Sequence, residues 1–318
     1  MEPEQQDKNA GWERALLEKL AFASLDESRK ACRWGIFFKM FFAVYLIVLL
    51  LLMQSSTWGE KALASRYTAM VSLDGEISAE SSANAENIIK GLHDAFEDKA
   101  AVGIILQANS PGGSPVQSAY IYDEILRLRE KFPDKPLYAV IGDICASGCY
   151  YAVAAADKIY ASPASIVGSI GVLMDGFGFV DGMKKLGIER RLLTAGTNKG
   201  MLDPFSPLEA KALRHAQRML DEIHVQFIDA VKQGRGAALK PNSEIFSGLF
   251  WTGTKAKELG LVDEFGSTNT VARDVIGAEE IVDYSVRENL LQRLAGRIGM
   301  SMGRAVTSEL RLSGRGLR

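Results

Sequence analysis

The sequence predicts an α/β protein with a mainly parallel sheet, and three observations support this fold class. Between Arg66 and about Tyr284, short apolar runs alternate with segments of helical periodicity, as in repeated βαβ units. Glycine-containing turns separate these segments, and no internal repeat is visible. The 318 residues, 47% of them apolar, suffice to bury one substantial core or two modest ones.

The individual elements are assigned from apolar periodicity and from turn residues. Strands are predicted at Thr68–Leu73, Val102–Gln107, Leu137–Ile141, Lys158–Ala161 and Arg190–Leu193, with a glycine-punctuated strand entry at Val167–Val172. Helices are predicted at Ala83–Phe96, Val116–Lys131, Tyr150–Ala156 and Pro207–Gln233. The closing segment Ile245–Phe265 predicts a helix that ends at a glycine and is followed by a strand.

An apolar stretch near the N-terminus predicts a membrane-spanning helix. Residues Trp34–Met53 are interrupted only by Lys39, and a helix of this length spans roughly 30 Å, the thickness of a hydrocarbon core. Arg29, Lys30 and Arg33 crowd its N-terminal side, so the positive-inside rule keeps the N-terminus in the cytoplasm. A cleaved signal peptide is the competing interpretation, because small residues lie downstream, but the segment before the apolar run is long for one.

The chain therefore divides into five predicted parts. These are a cytoplasmic segment 1–33, a transmembrane helix 34–54, a linker 55–65, a catalytic domain 66–285 and a basic tail 286–318. The tail holds seven arginines from Arg287 onward, and a solvated tail and one that touches anionic lipid headgroups are both open.

Composition excludes several classes of function. The formal net charge of -2 gives no field that would attract nucleic acid, so no nucleic-acid partner is expected. Cys32, Cys145 and Cys149 lack the spacing and the histidine companions of a zinc site, so no metal is expected. We interpret Cys145 and Cys149 as small core residues rather than as a redox pair.

Ser147 has the setting that a nucleophilic serine requires. It follows a predicted strand, precedes a predicted helix and lies between Ala146 and Gly148, so that its hydroxyl can protrude. The competing interpretation is a serine that only caps the helix. The preceding loop Pro111-Gly112-Gly113 exposes backbone amides that are suited to a developing oxyanion, and it lacks the continuation of a nucleotide-binding P-loop.

The general base is inferred mainly by elimination. His93, His215 and His224 all fall within helical patterns, although tertiary folding could still bring one of them to the serine. A lysine can replace histidine when burial lowers its pKa from roughly 10.4 toward neutrality. Lys199 is the best candidate, because it lies in a loop after a predicted strand.

Five motifs in this order resemble the short form of the signal peptide peptidase A family, over about residues 66–285. They are Asn109-Ser110-Pro111-Gly112-Gly113, Ala146-Ser147-Gly148 with Tyr150-Tyr151, Val167-Gly168-Ser169-Ile170-Gly171-Val172, Lys199 near Asp203-Pro204, and Trp251-Thr252-Gly253 ahead of Leu259-Gly260-Leu261-Val262-Asp263. The resemblance implies a ClpP/crotonase-like fold of repeated ββα-type units and a Ser-Lys dyad. Cys149 departs from the family, which usually has a second glycine there, and this puts the size of the substrate in doubt.

Carried onto this chain, the resemblance implies a role for each site residue. Ser147 is the nucleophile, Lys199 is its general base, and Ser169 holds the lysine amine by a hydrogen bond. The amides of Gly148 and Gly113 form the oxyanion hole, with Gly112 as the alternative to Gly113.

The resemblance also implies how the protein works as a whole. It implies a homo-oligomeric ring in which each chain supplies only part of an active site, and no cofactor. Whether Lys199 serves the Ser147 of its own chain or that of a neighbouring chain is left open. The expected substrates are remnant signal peptides and other apolar peptides. The expected location is the bacterial inner membrane, with the catalytic domain on the outer side. Two alternatives stay open: a membrane-tethered scaffold without protease activity, and crotonase-like acyl-CoA chemistry, which the predicted topology disfavours.

Overall fold

A computed structural model describes residues 33–49 and 66–286 of the chain. The chain divides into two units, Met1–Leu63 and Ala64–Arg318. In the first unit the described residues form one exposed helix, α1, at 33–49. Within the two described ranges, none of the helices combines the length and the apolar character needed to cross a bilayer. The predicted span 34–54 extends into residues outside the described ranges, so it stays a prediction, as do the basic tail and the linker.

In the second unit the chain forms an α/β fold around a mixed, mainly parallel sheet of eight strands. The strands are β1 (Tyr67–Asp74), β2 (Ala101–Ser110), β3 (Leu137–Ala146), β4 (Lys158–Ala161), β5 (Ile166–Gly168), β6 (Phe250–Thr252), β7 (Glu264–Phe265) and β8 (Ile281–Asp283). Their order is β6-β5-β3-β2-β1-β8, with β4 paired to β3 and β7. Only the β5–β6 pair is antiparallel among the strands described. The predicted fold class is thereby confirmed.

Helices connect these strands and cover the sheet. They are α2 (Ala85–Glu97), α3 (Pro115–Lys131), α4 (Gly148–Val153), α5 (Val180–Lys185), α6 (Ala210–Arg235), α7 (Gly253–Leu259) and α8 (Thr268–Thr270), with a 3-10 turn at Gly236–Ala238 and a π-helical turn at Val271–Ile276. Side-chain caps set the starts of two of them: the Asn84 side chain caps α2, and Ser114 caps α3 ahead of Pro115. Helix α7 ends at Gly260, which adopts the left-handed conformation, as its sequence predicts.

The core lies on both faces of the central strands. The larger cluster packs strand residues such as Leu106 against Leu92 of α2, Ile125 of α3 and Val231 of α6. A smaller cluster on the other face joins Ile105, Val140 and Tyr160 to Val271 and Ala272 of the π-helical turn. Burial on both faces explains why these strands are continuous apolar runs rather than alternating ones.

Two predicted elements differ from the structure. The predicted strand Arg190–Leu193 is wrong, because this segment has no regular structure and Leu193 is 96% exposed, with no sheet beside it. The predicted strand entry Val167–Val172 is extended only over Ile166–Gly168. Both differences fall in or beside residues 172–209, an exposed stretch, called the arm below, whose one regular element is α5.

Candidate active site

Ser147 lies at the junction of β3 and α4, where the strand turns into the helix. Its backbone has φ 52° and ψ -124°, a conformation that costs energy for any residue with a Cβ and that occurs often at functional sites. The turn is held by two backbone hydrogen bonds: the Ser147 amide donates to the Gly168 carbonyl at 2.8 Å, and the Tyr151 amide donates to the Ser147 carbonyl at 3.0 Å. Although Ser147 is the N-cap of α4, its side chain makes no capping hydrogen bond. The structure therefore disfavours the purely capping interpretation.

The loop Gly112-Gly113 packs directly against this turn. Gly112 and Gly113 both have positive φ, and a Cβ on Gly112 would lie 2.6 Å from the Ala146 carbonyl oxygen and 2.8 Å from the Gly148 nitrogen. A Cβ on Gly148 would in turn lie 3.2 Å from the Gly113 nitrogen. Side chains are thus excluded on both sides of the contact, and the Gly148 and Gly113 amides become neighbours beside Ser147.

Hydrogen bonds distinguish the two candidate amides of this loop. The Gly112 amide donates to the Ser110 hydroxyl at 3.1 Å, within the buried base of the loop. The bridge between Gly113 and Ile77 uses the Gly112 carbonyl and the Ser114 amide, at 2.8 and 2.7 Å, and leaves the Gly113 amide out. These contacts favour Gly113 over Gly112 as the second oxyanion donor.

Ser169 lies next to Ser147 through the end of β5. Its backbone also has φ 52°, and its amide donates to the Leu249 carbonyl at 2.8 Å. The Gly168 carbonyl at the end of β5 accepts from the Ser147 amide, and Ser169 directly follows Gly168 in the chain. The sequence predicts these two serines as partners in one site, and the structure places both on one cavity.

That cavity has a volume of about 670 Å³. Its polar side contains the two serines and the glycine amides, and its apolar wall comes from Tyr151 of α4 and Phe227 of α6. The remaining lining residues include Glu76, Pro111, Val172, Leu173, Ile223 and Ser247.

His224 falls within a helical pattern that predicts no functional role for it, and the structure places it on the cavity. It lies on the same face of α6 as Phe227, and its Nε2 is 3.2 Å from the Ile170 carbonyl oxygen. The signal was present in the helical spacing, because His224 and Phe227 are three positions apart and share one face. In this chain the ring contacts the segment that follows Ser169.

Lys199 lies elsewhere, in the arm. It is exposed, its amide donates to the Gly196 carbonyl at 3.1 Å, and it is not among the residues that line the Ser147 cavity. Nearby, a hydrogen bond from Ser206 at 2.6 Å and the Arg190 guanidinium lower the pKa of Asp203. One chain, as described, brings together Ser147, Ser169, Gly113 and Gly148, and it does not bring Lys199 to them.

A disulfide joins Cys145 to Cys149 and encloses Ser147, which corrects the prediction of two unpaired core cysteines. Their Cα atoms are 5.2 Å apart, and both residues are fully buried. The residue types suggested core packing because cysteine behaves as a small hydrophobe, but the strand-to-helix turn brings positions four apart within bonding distance.

A buried polar cluster fixes the Tyr150 side chain of α4. The Tyr150 hydroxyl donates to the Leu261 carbonyl at 2.8 Å, and burial raises the pKa of this phenol well above its usual range. Beside it, Arg235 binds Asp263 at 2.8 Å and also donates to the Gly260 carbonyl. Within the described ranges, no group of three histidine, cysteine, aspartate or glutamate side chains could hold a metal ion.

Comparison with known proteins agrees with this architecture. The model of Peptidase family S49 matches residues 129–280, which run from the end of α3 to the turn before β8 and include Ser147 and Lys199. A candidate protease of Methanocaldococcus jannaschii is 32% identical over 242 residues, covering 73% of this chain and 77% of that protein. The chain belongs to peptidase family S49.

Two further relatives extend the S49 comparison. A candidate signal peptide peptidase SppA of Enterococcus faecium is 30% identical over 205 residues, covering 64% of this chain and 59% of that protein. A Brucella abortus protein named Na(+)/H(+) antiporter NhaA is 44% identical over 213 residues, which are 67% of this chain but 29% of that protein. This chain thus spans less than a third of the Brucella protein, and that name refers to a much longer chain.

Proposed function

We propose that this chain is a serine endopeptidase that attacks peptide bonds with Ser147. The observation that carries the proposal is the turn at Ser147. This serine has a positive φ at a strand end, its hydroxyl makes no helix-capping hydrogen bond, and it lines a cavity beside the amides of two glycines. Membership of family S49 supports the same reaction class.

The proposed reaction follows from these groups. The Ser147 Oγ attacks the scissile carbonyl carbon while its proton passes to the uncharged amine of Lys199. The amides of Gly113 and Gly148 stabilise the resulting oxyanion, and the lysine then protonates the leaving amine. Water hydrolyses the acyl-enzyme on Ser147 by the reverse proton path, and Ser169 orients the lysine amine.

Because Lys199 is exposed in the arm of its own chain, we propose that it acts on Ser147 of a neighbouring chain. Such an arrangement needs a head-to-tail contact, and repeated contacts of this kind close into a ring. The large apolar side chains exposed along the arm, among them Leu173 and Leu193, support such a contact.

The proposed substrates are remnant signal peptides and other apolar peptides. The apolar cavity wall supports this class, and a relative from Enterococcus faecium bears the name of a signal peptide peptidase. We also propose that residues 34–54 anchor the chain in the bacterial inner membrane, where released signal peptides accumulate, with the catalytic domain outside. A scaffold without protease activity is the alternative that the experiment must exclude.

The test compares three single variants of the purified full chain in detergent. On an apolar peptide, Ser147→Ala and Lys199→Ala are each expected to lower kcat at least about 10³-fold. His224→Gln is the matched control for a histidine base, and less than about tenfold loss is expected, because the ring would then serve only in packing. Parental rates in Ser147→Ala would refute the protease and favour the scaffold. A loss in His224→Gln as large as in Ser147→Ala, with Lys199→Ala unaffected, would replace the lysine by the histidine.

A further inference from the structure

The disulfide between Cys145 and Cys149 surrounds the proposed nucleophile. Cys145 is in β3, where its neighbours are Ser110 of β2 and Val167 of β5, and Cys149 is in the first turn of α4. The bond therefore ties the start of a short helix to the end of the central strand. Ser147 lies in the middle of this five-residue loop, called the nucleophile turn below.

The nucleophile turn needs such a constraint more than an ordinary turn does. Ser147 adopts positive φ, so the unconstrained backbone would relax toward a conformation that L-residues prefer. Helix α4 spans only Gly148–Val153, and a helix of this length has little stability of its own. A shift of this turn would move the Ser147 hydroxyl and the Gly148 amide together, and these are the two groups whose geometry the reaction uses.

We propose that Cys145 and Cys149 are positioning residues of the active site, and that their disulfide holds Ser147 and the Gly148 amide in reactive geometry. The inference rests on the proposed function, because it assumes that Ser147 is the nucleophile. A disulfide that closes so short a loop removes less chain entropy from the unfolded state than one that closes a long loop. The effect of the bond is therefore local, on the rate of attack by Ser147, more than global.

The first measurement establishes the bond by counting thiols. The full chain has three cysteines, and the third is Cys32. After unfolding in denaturant without reductant, a maleimide is expected to add once to the chain by mass. After treatment with a dithiol, which is oxidised to its own disulfide as the two cysteine sulfurs become thiols, three additions are expected. In Cys32→Ala we expect no maleimide addition without reductant and two additions after dithiol treatment. Three additions to the parent without reductant would overturn the inference.

The second measurement is a double-mutant cycle on the reaction of Ser147. Cys145→Ala, Cys149→Ala and the combined variant are each expected to lower the rate of labelling by a fluorophosphonate about tenfold to a hundredfold, as small misplacements of reacting groups do. Because either substitution breaks the same bond, the combined loss should equal each single loss. Losses that multiply would show two independent packing effects and would overturn the positioning role.

Controls separate positioning from stability and from the proposed function. Val153→Ala removes buried volume from the same helix and leaves both cysteines in place, so it should lower Tm while leaving the labelling rate within about twofold of the parent. Peptide kinetics should show the cysteine loss in kcat rather than in KM. Should the combined variant fail to fold, the dithiol-treated parent replaces it, and unchanged labelling of that protein contradicts the inference.

Ser147→Ala completes the design. Labelling that persists in this variant would mean that the proposed nucleophile is wrong, whatever the cysteine variants do. Labelling that is lost in Ser147→Ala and unchanged in the cysteine variants would leave the proposed function standing and remove the positioning role.

Discussion

The two halves of the proposed dyad lie in regions that the chain holds in different ways. Ser147 lies in the packed part of the sheet, where hydrogen bonds, a disulfide and buried glycine contacts fix its backbone. Lys199 lies in the arm, where regular structure is limited to α5 and side chains are mostly exposed. The described chain therefore brings the proposed nucleophile and oxyanion donors together, and it does not bring the proposed base to them.

The exposed apolar side chains of the arm explain this difference. Leu173 is 82% exposed, Phe177 78% and Leu193 96%, and so much exposure is unusual for large apolar side chains that lie close together along one segment. Covering them with a second copy would remove that surface from water and would also bring the Lys199 loop to a new neighbour. We infer that one event, association, both buries the arm and completes the site.

The largest expected effect comes from mixing two inactive variants. Ser147→Ala and Lys199→Ala chains, dissociated and reassociated together, should recover peptidase activity that neither has alone. If chains combine at random in a head-to-tail ring, about a quarter of the sites pair an intact serine with an intact lysine. Against a background at least about 10³-fold below the parent, this recovery is easily measured.

Two controls make the mixing experiment decisive. Each variant mixed with itself should stay inactive, and chains that carry both substitutions should recover nothing when mixed with either one. A mixture that stays inactive, although mass spectrometry shows mixed assemblies, would contradict a dyad shared between neighbouring chains.

A smaller effect is expected from a pair of leucine substitutions, one in each region. Leu106 is fully buried in β2, so Leu106→Ala should lower the free energy of unfolding by about 2–5 kcal/mol. Leu193 is 96% exposed, so Leu193→Ser should change the free energy of unfolding of the single chain by no more than about 0.5 kcal/mol. Denaturant titration measures both values.

The two leucine variants should also differ in their ability to assemble. Sedimentation of the full chain in detergent should show smaller species for Leu193→Ser, with a matching loss of activity, whereas residual folded Leu106→Ala should still assemble. If Leu193→Ser assembles and cleaves peptides as the parent does, that side chain takes no part in the contact.

The sequence predicted the packed region well, and the reason is physical. Strands such as Lys158–Ala161 and helices such as Val116–Lys131 are bounded by their own apolar runs and turn residues, so local patterns determine them. The arm follows no such rule. Its segment Arg190–Leu193 was assigned from a short apolar run, but among the described residues no strand accepts hydrogen bonds from it.

Some features of the candidate site could likewise be predicted from the sequence, and others could not. Gly112, Gly113 and Gly148 could be found because positive φ and close backbone approach leave few alternatives to glycine. The position of His224 in the cavity and the Cys145–Cys149 bond could not, since both depend on how separate elements meet. The role of Lys199 stays a prediction, because the described chain does not bring this residue to the Ser147 cavity.

The smallest expected effect concerns α6, which leads from the arm back to the packed region. The Tyr122 hydroxyl of α3 donates to the Ala230 carbonyl of α6 at 2.9 Å, and burial raises the pKa of Tyr122 to about 12. The folded state therefore keeps this proton longer than the unfolded state, whose phenol titrates near 10. The contribution of this hydroxyl to the free energy of unfolding is fully present below pH 10 and is lost as the pH rises through 12.

Tyr122→Phe should lower the free energy of unfolding by about 1 kcal/mol at pH 7. Between pH 10 and 12, the free energy of unfolding of this variant should decline less steeply than that of the parent, as measured by urea titration at each pH. An unchanged slope would mean that other tyrosines carry the alkaline sensitivity and that this hydrogen bond is not what joins α6 to the packed region.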